Sequence, residues 1–168
     1  MYQIGELVVY GIHGVCRVTS QEQQTSAGKQ VVYLVLEPLD QEGSKFLIPA
    51  HNAAAMAKVK PILTREEWLE LFTSDTVRTD VWIPDENQRK QCYREVITGG
   101  NRSKLLQQIR TLYRHKKVQT SIGRKVHICD ENFLRDAEKI LISELSVVFG
   151  LEPEVAKDML RSKVKEDA

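Results

Sequence analysis

Cysteine is scarce: Cys16, Cys92 and Cys129 are the only three in 168 residues. An odd, widely scattered set cannot form a disulfide framework and reads as reduced thiols in a cytoplasm. With only nine glycines and five prolines, collagen-like repeats and low-complexity tracts are excluded. No apolar run approaches the roughly 18 residues of a membrane helix. The opening MYQIGELVVYGIHG has no basic region ahead of its apolar stretch, so no secretory signal is expected. Catalytic signatures are missing too: there is no phosphate-cradling glycine loop, no HExxH and no GxSxG. His13 and Cys16 are close in sequence, as are His127 and Cys129, but structural zinc sites normally need paired CxxC or HxxxH clusters. Cys16 reads as a small buried apolar residue and His13 as a turn residue. The acidic pairs Glu66-Glu67 and Asp130-Glu131 suit helix N-termini, where the dipole accounts for them. Neither a catalytic residue, a metal nor a cofactor is expected, and the chain is not read as an enzyme.

What remains is a globular composition, 42% hydrophobic and 28% charged, enough for one ordinary domain or two small ones. The net charge of +1 conceals a strong pattern. Residues 1–60 are neutral, residues 61–85 carry −4, residues 86–125 carry +9 and residues 126–168 carry −4. Eleven lysines and arginines lie in the positive block, against only Glu86 and Glu95. That concentration is the footprint of a polyanion-binding surface; the alternative is neutralisation by the acidic blocks across helix contacts.

The pattern changes at Pro61. Before it, Leu7-Val8-Val9-Tyr10, Val15 to Thr19, Val31 to Leu36 and Lys45 to Pro49 read as four short strands. Gly11-Ile12-His13-Gly14 is a tight turn, polar Gln21 to Gly28 a hairpin loop, and Asp40 to Gly43 another turn. After Pro61 the period is helical. Thr64 with Glu67 forms a capping box for a helix ending near Ser74. Asp75 to Ile83 reads as a connector, and Pro84 opens a helix stopped by Gly99-Gly100. Asn101 caps a third helix carrying Leu105, Ile109, Leu112 and Tyr113, and Val118 to Ile128 reads as a loop or frayed extension. Asp130 caps a long helix ending at Gly150, and Glu152-Pro153 starts the last one. The fold class expected is α+β: a small antiparallel barrel or bent sheet over residues 1–60, then an all-α bundle over 61–168.

Gly5-Glu6-Leu7-Val8-Val9-Tyr10, His13-Gly14-Val15, Tyr33-Leu34-Val35-Leu36 and Ile48-Pro49-Ala50 together resemble the N-terminal module of the CarD family of bacterial transcription regulators. This Tudor-like module is shared with the transcription-repair coupling factor. Gly99-Gly100, Ile109-Arg110-Thr111-Leu112-Tyr113 and Asp130 to Leu134 leading into Ala137 to Leu141 are similar to that family's helical DNA-binding domain. The resemblance implies a front module that docks on the RNA polymerase β subunit by sheet extension. It also implies a helical domain that contacts upstream promoter DNA with low sequence specificity, with a tryptophan wedged in the minor groove. The implied protein is a cytoplasmic monomer, nucleoid-associated through polymerase, that alters open-complex stability; the rival is an adaptor whose basic half binds an acidic protein.

Candidate residues follow. Lys45, Phe46, Leu47, Ile48 and Pro49 are the candidate docking edge, the alternative being an interior strand with Phe46 and Ile48 facing inward. Arg89, Lys90 and Arg94 share one helix face and are the leading phosphate contacts. Arg114, Lys116 and Lys117 either contact DNA or complement a helix C-terminus. Arg124 and Lys125 are placed to reach a backbone from a loop. Trp82 is either the wedge or a packed residue between domains, whereas Trp68 reads as packing.

Overall fold

The computed structural model describes residues 2–165. The ends of the two expected domains, residue 1 and residues 166–168, lie outside the described residues. The chain divides into two compact units between Ile62 and Leu63, and each is described by itself.

The first unit is an antiparallel sheet of five strands in the order β4-β3-β2-β1-β5. Its strands are β1 (Leu7–Tyr10), β2 (Val15–Ser26), β3 (Lys29–Pro38), β4 (Phe46–Pro49) and β5 (Val59–Pro61), with a single helical turn, α1 (Ala53–Met56), between the last two. Alternating residues Val8, Cys16, Val18, Leu34, Leu36, Ile48 and Val59 form its core on one face, and Val9, Val15 and Val35 are buried on the other. Burial and the nearby Asp40 push the Cys16 thiol up to about 11, so it is a protonated core residue.

Two expectations for this unit are corrected. Gln21 to Gly28 is not a loop: β2 runs through Ser26 and pairs with β3 as far as Ser26–Lys29. Only Ala27 and Gly28 turn the chain, at φ 51° and 77°, the two positive values a two-residue hairpin needs. On the β2 side the hairpin is exposed from Gln21 to Ser26, so that stretch can be polar throughout, and composition alone reads it as loop. Pro61, taken as the change of period, instead closes a fifth strand against β1.

The second unit is helical: α2 (Arg65–Phe72), α3 (Asp75–Arg78), α4 (Glu86–Gly99), α5 (Arg102–Ser121), α6 (Ile128–Phe149) and α7 (Pro153–Lys165). Local signals set most of its ends. Thr64 Oγ1 accepts from the Glu67 amide at 3.1 Å while Glu67 Oε1 accepts from the Thr64 amide at 3.2 Å, completing the capping box. Asn101 Oδ1 caps α5 at the Lys104 amide, and Gly100 and Gly150 end their helices in the left-handed conformation. The expected connector at 75–83 begins with α3, capped by Ser74. Pro84, expected in the first turn of α4, precedes it: Asp85 is the N-cap and the helix starts at Glu86. The expected break after Val118 falls at Ile122, and α6 starts at Ile128 behind His127 rather than at Asp130. Its first turn then carries Asp130 into the interior.

Trp68, Leu105, Leu106, Ile109, Leu141, Leu145 and Leu160 centre the helical core. One buried carboxylate organises it. Glu144 accepts from the Leu63 amide at 2.8 Å, from Trp68 Nε1 at 3.1 Å and from Arg102 Nε at 2.7 Å. Trp68 is packing, as expected.

Candidate functional site

The sheet has two edges, and they differ. At β5, the Val59 carbonyl accepts from the Tyr2 hydroxyl at 3.0 Å. At the other edge β4 pairs with β3 alone, so the expected docking segment is an edge strand. Its register runs Leu36–Phe46, Val35–Leu47, Leu34–Ile48, Tyr33–Pro49, and the Ala50 amide continues it onto the Val32 carbonyl at 2.9 Å. Antiparallel pairs alternate between bonded and non-bonded positions. Ile48 and Phe46 therefore bond β3, whereas Leu47 and Pro49 turn their backbone groups to the open side. Pro49, with no N–H to give, sits where none is needed, and its carbonyl accepts from the Asn52 amide. Leu47 thus carries the outward N–H and C=O of this edge, under a side chain that is 40% exposed.

The inward reading of Phe46 and Ile48 also holds. Ile48 is core, and the Phe46 ring lies 5.2 Å from Tyr10 and 4.2 Å from His13. Lys45 reaches Glu37 at 3.8 Å, with both side chains exposed. Leu47 is the member of the segment best placed to meet a partner.

The eleven cations of residues 86–125 separate into three groups. Arg89, Arg102 and Arg110 are internal. Arg102 serves Glu144, and Arg110 Nη1 donates to the Arg78 carbonyl at 2.6 Å. Lys90 and Lys116 are exposed in ion pairs, with Glu86 and Glu131, each at 3.2 Å. Arg94, Lys104, Arg114, Lys117, Arg124 and Lys125 are exposed, and Arg94 donates to the neighbouring Gln91 side chain. Arg114, Lys116 and Lys117 do not close α5, which continues to Ser121 and has no basic residue in its last turn. The dipole acts over about one turn, so that alternative role is withdrawn.

Arg89 is corrected outright. Its side chain is 3% exposed and faces Asp130, itself 1% exposed. Nε donates to Asp130 Oδ1 at 2.8 Å and Nη2 to Oδ2 at 3.2 Å. Nη1 donates to the carbonyls of Ile83 and Pro84. A guanidinium engaged on all three nitrogens has none left for a phosphate. Tyr93 donates to the same carboxylate at 2.6 Å; burial, then Asp130, raises its phenol far above the ordinary value. The sequence carries no local sign of this site, because Asp130 lies 41 residues from Arg89.

Trp82 belongs to the same cluster. It packs half-buried against the helical core, stacks on His115 at 3.5 Å, and has the Arg89 guanidinium 4.4 Å from its ring centroid. A ring so engaged is a packed residue; insertion between bases would require it to leave both partners.

His115 gives the cluster a pH dependence. Burial lowers its pKa below the usual 6.5; Arg89 and His127 push the same way, while Asp130 and Asp80 oppose them. The folded state therefore binds this proton less readily than the unfolded chain. His115 contributes its full stability above about pH 6.5 and loses it as pH falls through the lower folded value. Urea midpoints should fall between pH 7.5 and pH 5, and His115→Gln should flatten that part of the profile. An equally steep profile in the variant would place the dependence elsewhere.

Among the described residues, no group of three His, Cys, Asp or Glu side chains could hold a metal, and no helix is long and apolar enough to cross a membrane.

The first unit is a small antiparallel sheet with edge strands β4 and β5, followed in sequence by a helical unit. Residues 2–60 match the model of the CarD-like/TRCF RID domain family. The N-terminal unit is therefore a domain of the CarD-like/TRCF RID kind, and the fold has the α+β, Tudor-like organisation expected. The family is a protein-interaction domain rather than an enzyme family, and it associates the chain with RNA polymerase and transcription. The helical unit lies outside the matched residues.

Proposed function

We propose that this chain is a bacterial transcription regulator that acts as a monomer, gripping the polymerase β subunit at β4 and holding promoter DNA with its helical unit to change open-complex stability. The observation that carries the reading is the open β4 edge, with Leu47 outward, in the family-matched unit. An open edge recruits a partner strand through main-chain hydrogen bonds, and side chains add specificity. The exposed cations Arg94, Arg114, Lys117, Arg124 and Lys125 supply the DNA contact, with Lys90 and Lys116 available by exchanging carboxylate for phosphate. Contacts of this kind neutralise phosphates and tolerate many sequences.

The test is salt dependence. The full chain should bind a forked promoter duplex with an affinity that falls steeply from 50 to 200 mM salt. Arg124→Gln combined with Lys125→Gln should lower the slope of log affinity against log salt by about two, roughly one per lost phosphate contact, on every duplex alike. No detectable binding at low salt would favour the acidic-protein adaptor, and a defect confined to one promoter would reveal base readout.

A further inference from the structure

A cleft of about 740 Å³ opens among α5, α6 and α7 of the helical unit, lined by none of the Arg89, Asp130, Tyr93 and Trp82 side chains. Lys116, Lys117, Arg161 and Lys165 line it, with the Thr120 hydroxyl beside them and Tyr113 and Leu134 as its apolar part. Its volume is in the range of small-molecule sites. At its base the buried Glu138 accepts from Tyr113 and, at 3.1 Å, from Arg161 Nη2. Lys165 Nζ lies 4.9 Å from the Tyr113 ring centroid, and Lys116 is shared with Glu131. Two carboxylates against four cations leave the cleft net positive.

A second feature sets this cleft apart. Arg161 Nε is buried and makes no hydrogen bond, the one such side-chain atom among the described residues. A buried donor left unpaired is costly, and it shows that Glu138 does not fully satisfy this guanidinium. Structural pairing explains Nη2 but not Nε. Nor does the dipole account for Lys116 and Lys117, which precede the last turn of α5.

We propose that this cleft binds a small organic molecule bearing a polyphosphate chain. Its phosphate oxygens accept from Lys117, Lys165 and the exposed part of the Arg161 guanidinium, whose side chain is 41% exposed, and its apolar part rests on Tyr113 and Leu134. Several cations converging on one concavity, with a planar guanidinium among them, suit phosphate oxygens. Phosphate is also the chemistry of a DNA backbone, so the experiment must separate the two sources.

Inorganic triphosphate and ATP, titrated into the full chain at low salt and followed by calorimetry, should bind saturably at one site, with adenosine far weaker. In ¹⁵N-labelled protein the Arg161 Nε–H resonance should shift as the site fills. Lys165→Gln, at an exposed position, should weaken both ligands at least tenfold, and Arg161→Gln should do the same. Lys58→Gln, on the other unit, should change nothing. Absent saturation by triphosphate, an unmoved Arg161 signal, or equal weakening by Lys58→Gln would each overturn the site. If forked DNA alone bound and lost affinity in Lys165→Gln, the cleft would belong to the DNA surface and the small-molecule proposal would fail. Loss of DNA binding with triphosphate binding retained would instead remove the proposed DNA function and leave the cleft standing.

Discussion

Arg89→Met should destabilise the helical unit by about 3–5 kcal/mol, because it strands the Asp130 carboxylate in the interior without its cation. Chemical denaturation of the variant measures this directly. The arrangement makes the loss large: Asp130 is 1% exposed and takes both arms of the guanidinium, so water cannot replace them. Two backbone carbonyls ahead of α4 lose their donor as well, and Trp82 loses the cation over its ring. Adding Asp130→Leu should recover part of the loss, since removing both charges avoids the unpaired carboxylate. Recovery stays partial because the Tyr93 hydroxyl, which donates to Asp130, then costs about 1–3 kcal/mol as an unpaired buried group. A loss under 1 kcal/mol for Arg89→Met would contradict the buried-pair description. At a temperature where the variant stays folded, its affinity for DNA should remain within about twofold of the parent, because this guanidinium is not at the surface.

Leu47→Pro should weaken capture of a polymerase β-subunit fragment by the full chain at least tenfold while leaving the sheet folded. In the β3–β4 register, Leu47 occupies a position whose N–H points away from β3, so proline deletes only the outward donor. Pro49 already shows that this strand accepts proline two residues on. In the middle of a paired strand the same change would remove a ladder bond. Leu47→Ala should have a smaller effect, because it trims a half-exposed side chain and keeps the donor. Circular dichroism and melting temperature report the fold, and quantitative co-purification reports the docking. Parental capture by both variants would move the contact off this edge. A melted N-terminal unit in Leu47→Pro would leave Leu47→Asp, which disturbs no backbone bond, to decide between an edge contact and none.

Much of the fold was legible in local patterns. The short apolar run Leu7–Tyr10, the Thr64–Glu67 capping box, Asn101 ahead of α5 and Gly150 after α6 each act through neighbours within a few residues, and each appears where the sequence places it. The misread segments have two causes. The outer half of β2 is polar because Gln21 to Ser26 are exposed and its strand character comes from pairing with β3, α3 is a single turn held by one serine cap, and β5 is three residues long and owes its strand character to β1. For the two strand segments the deciding partner is another strand, absent from the local pattern, whereas α3 was missed because a single turn is too short to show a helical period.

The candidate sites divide along the same line. Amino-acid order by itself determined the count, sign and clustering of the charges, the change from strand to helix period, and the helix caps, because these depend on composition or on contacts one turn away. Only the tertiary structure decided which cations reach solvent. Arg89 turned inward to a carboxylate 41 residues on, Arg102 to one 42 residues on, and Arg110 to a backbone carbonyl 32 residues back. A charge's place is settled by whichever partner folding brings to it, and pairing over such separations leaves no trace in the spacing of neighbouring residues.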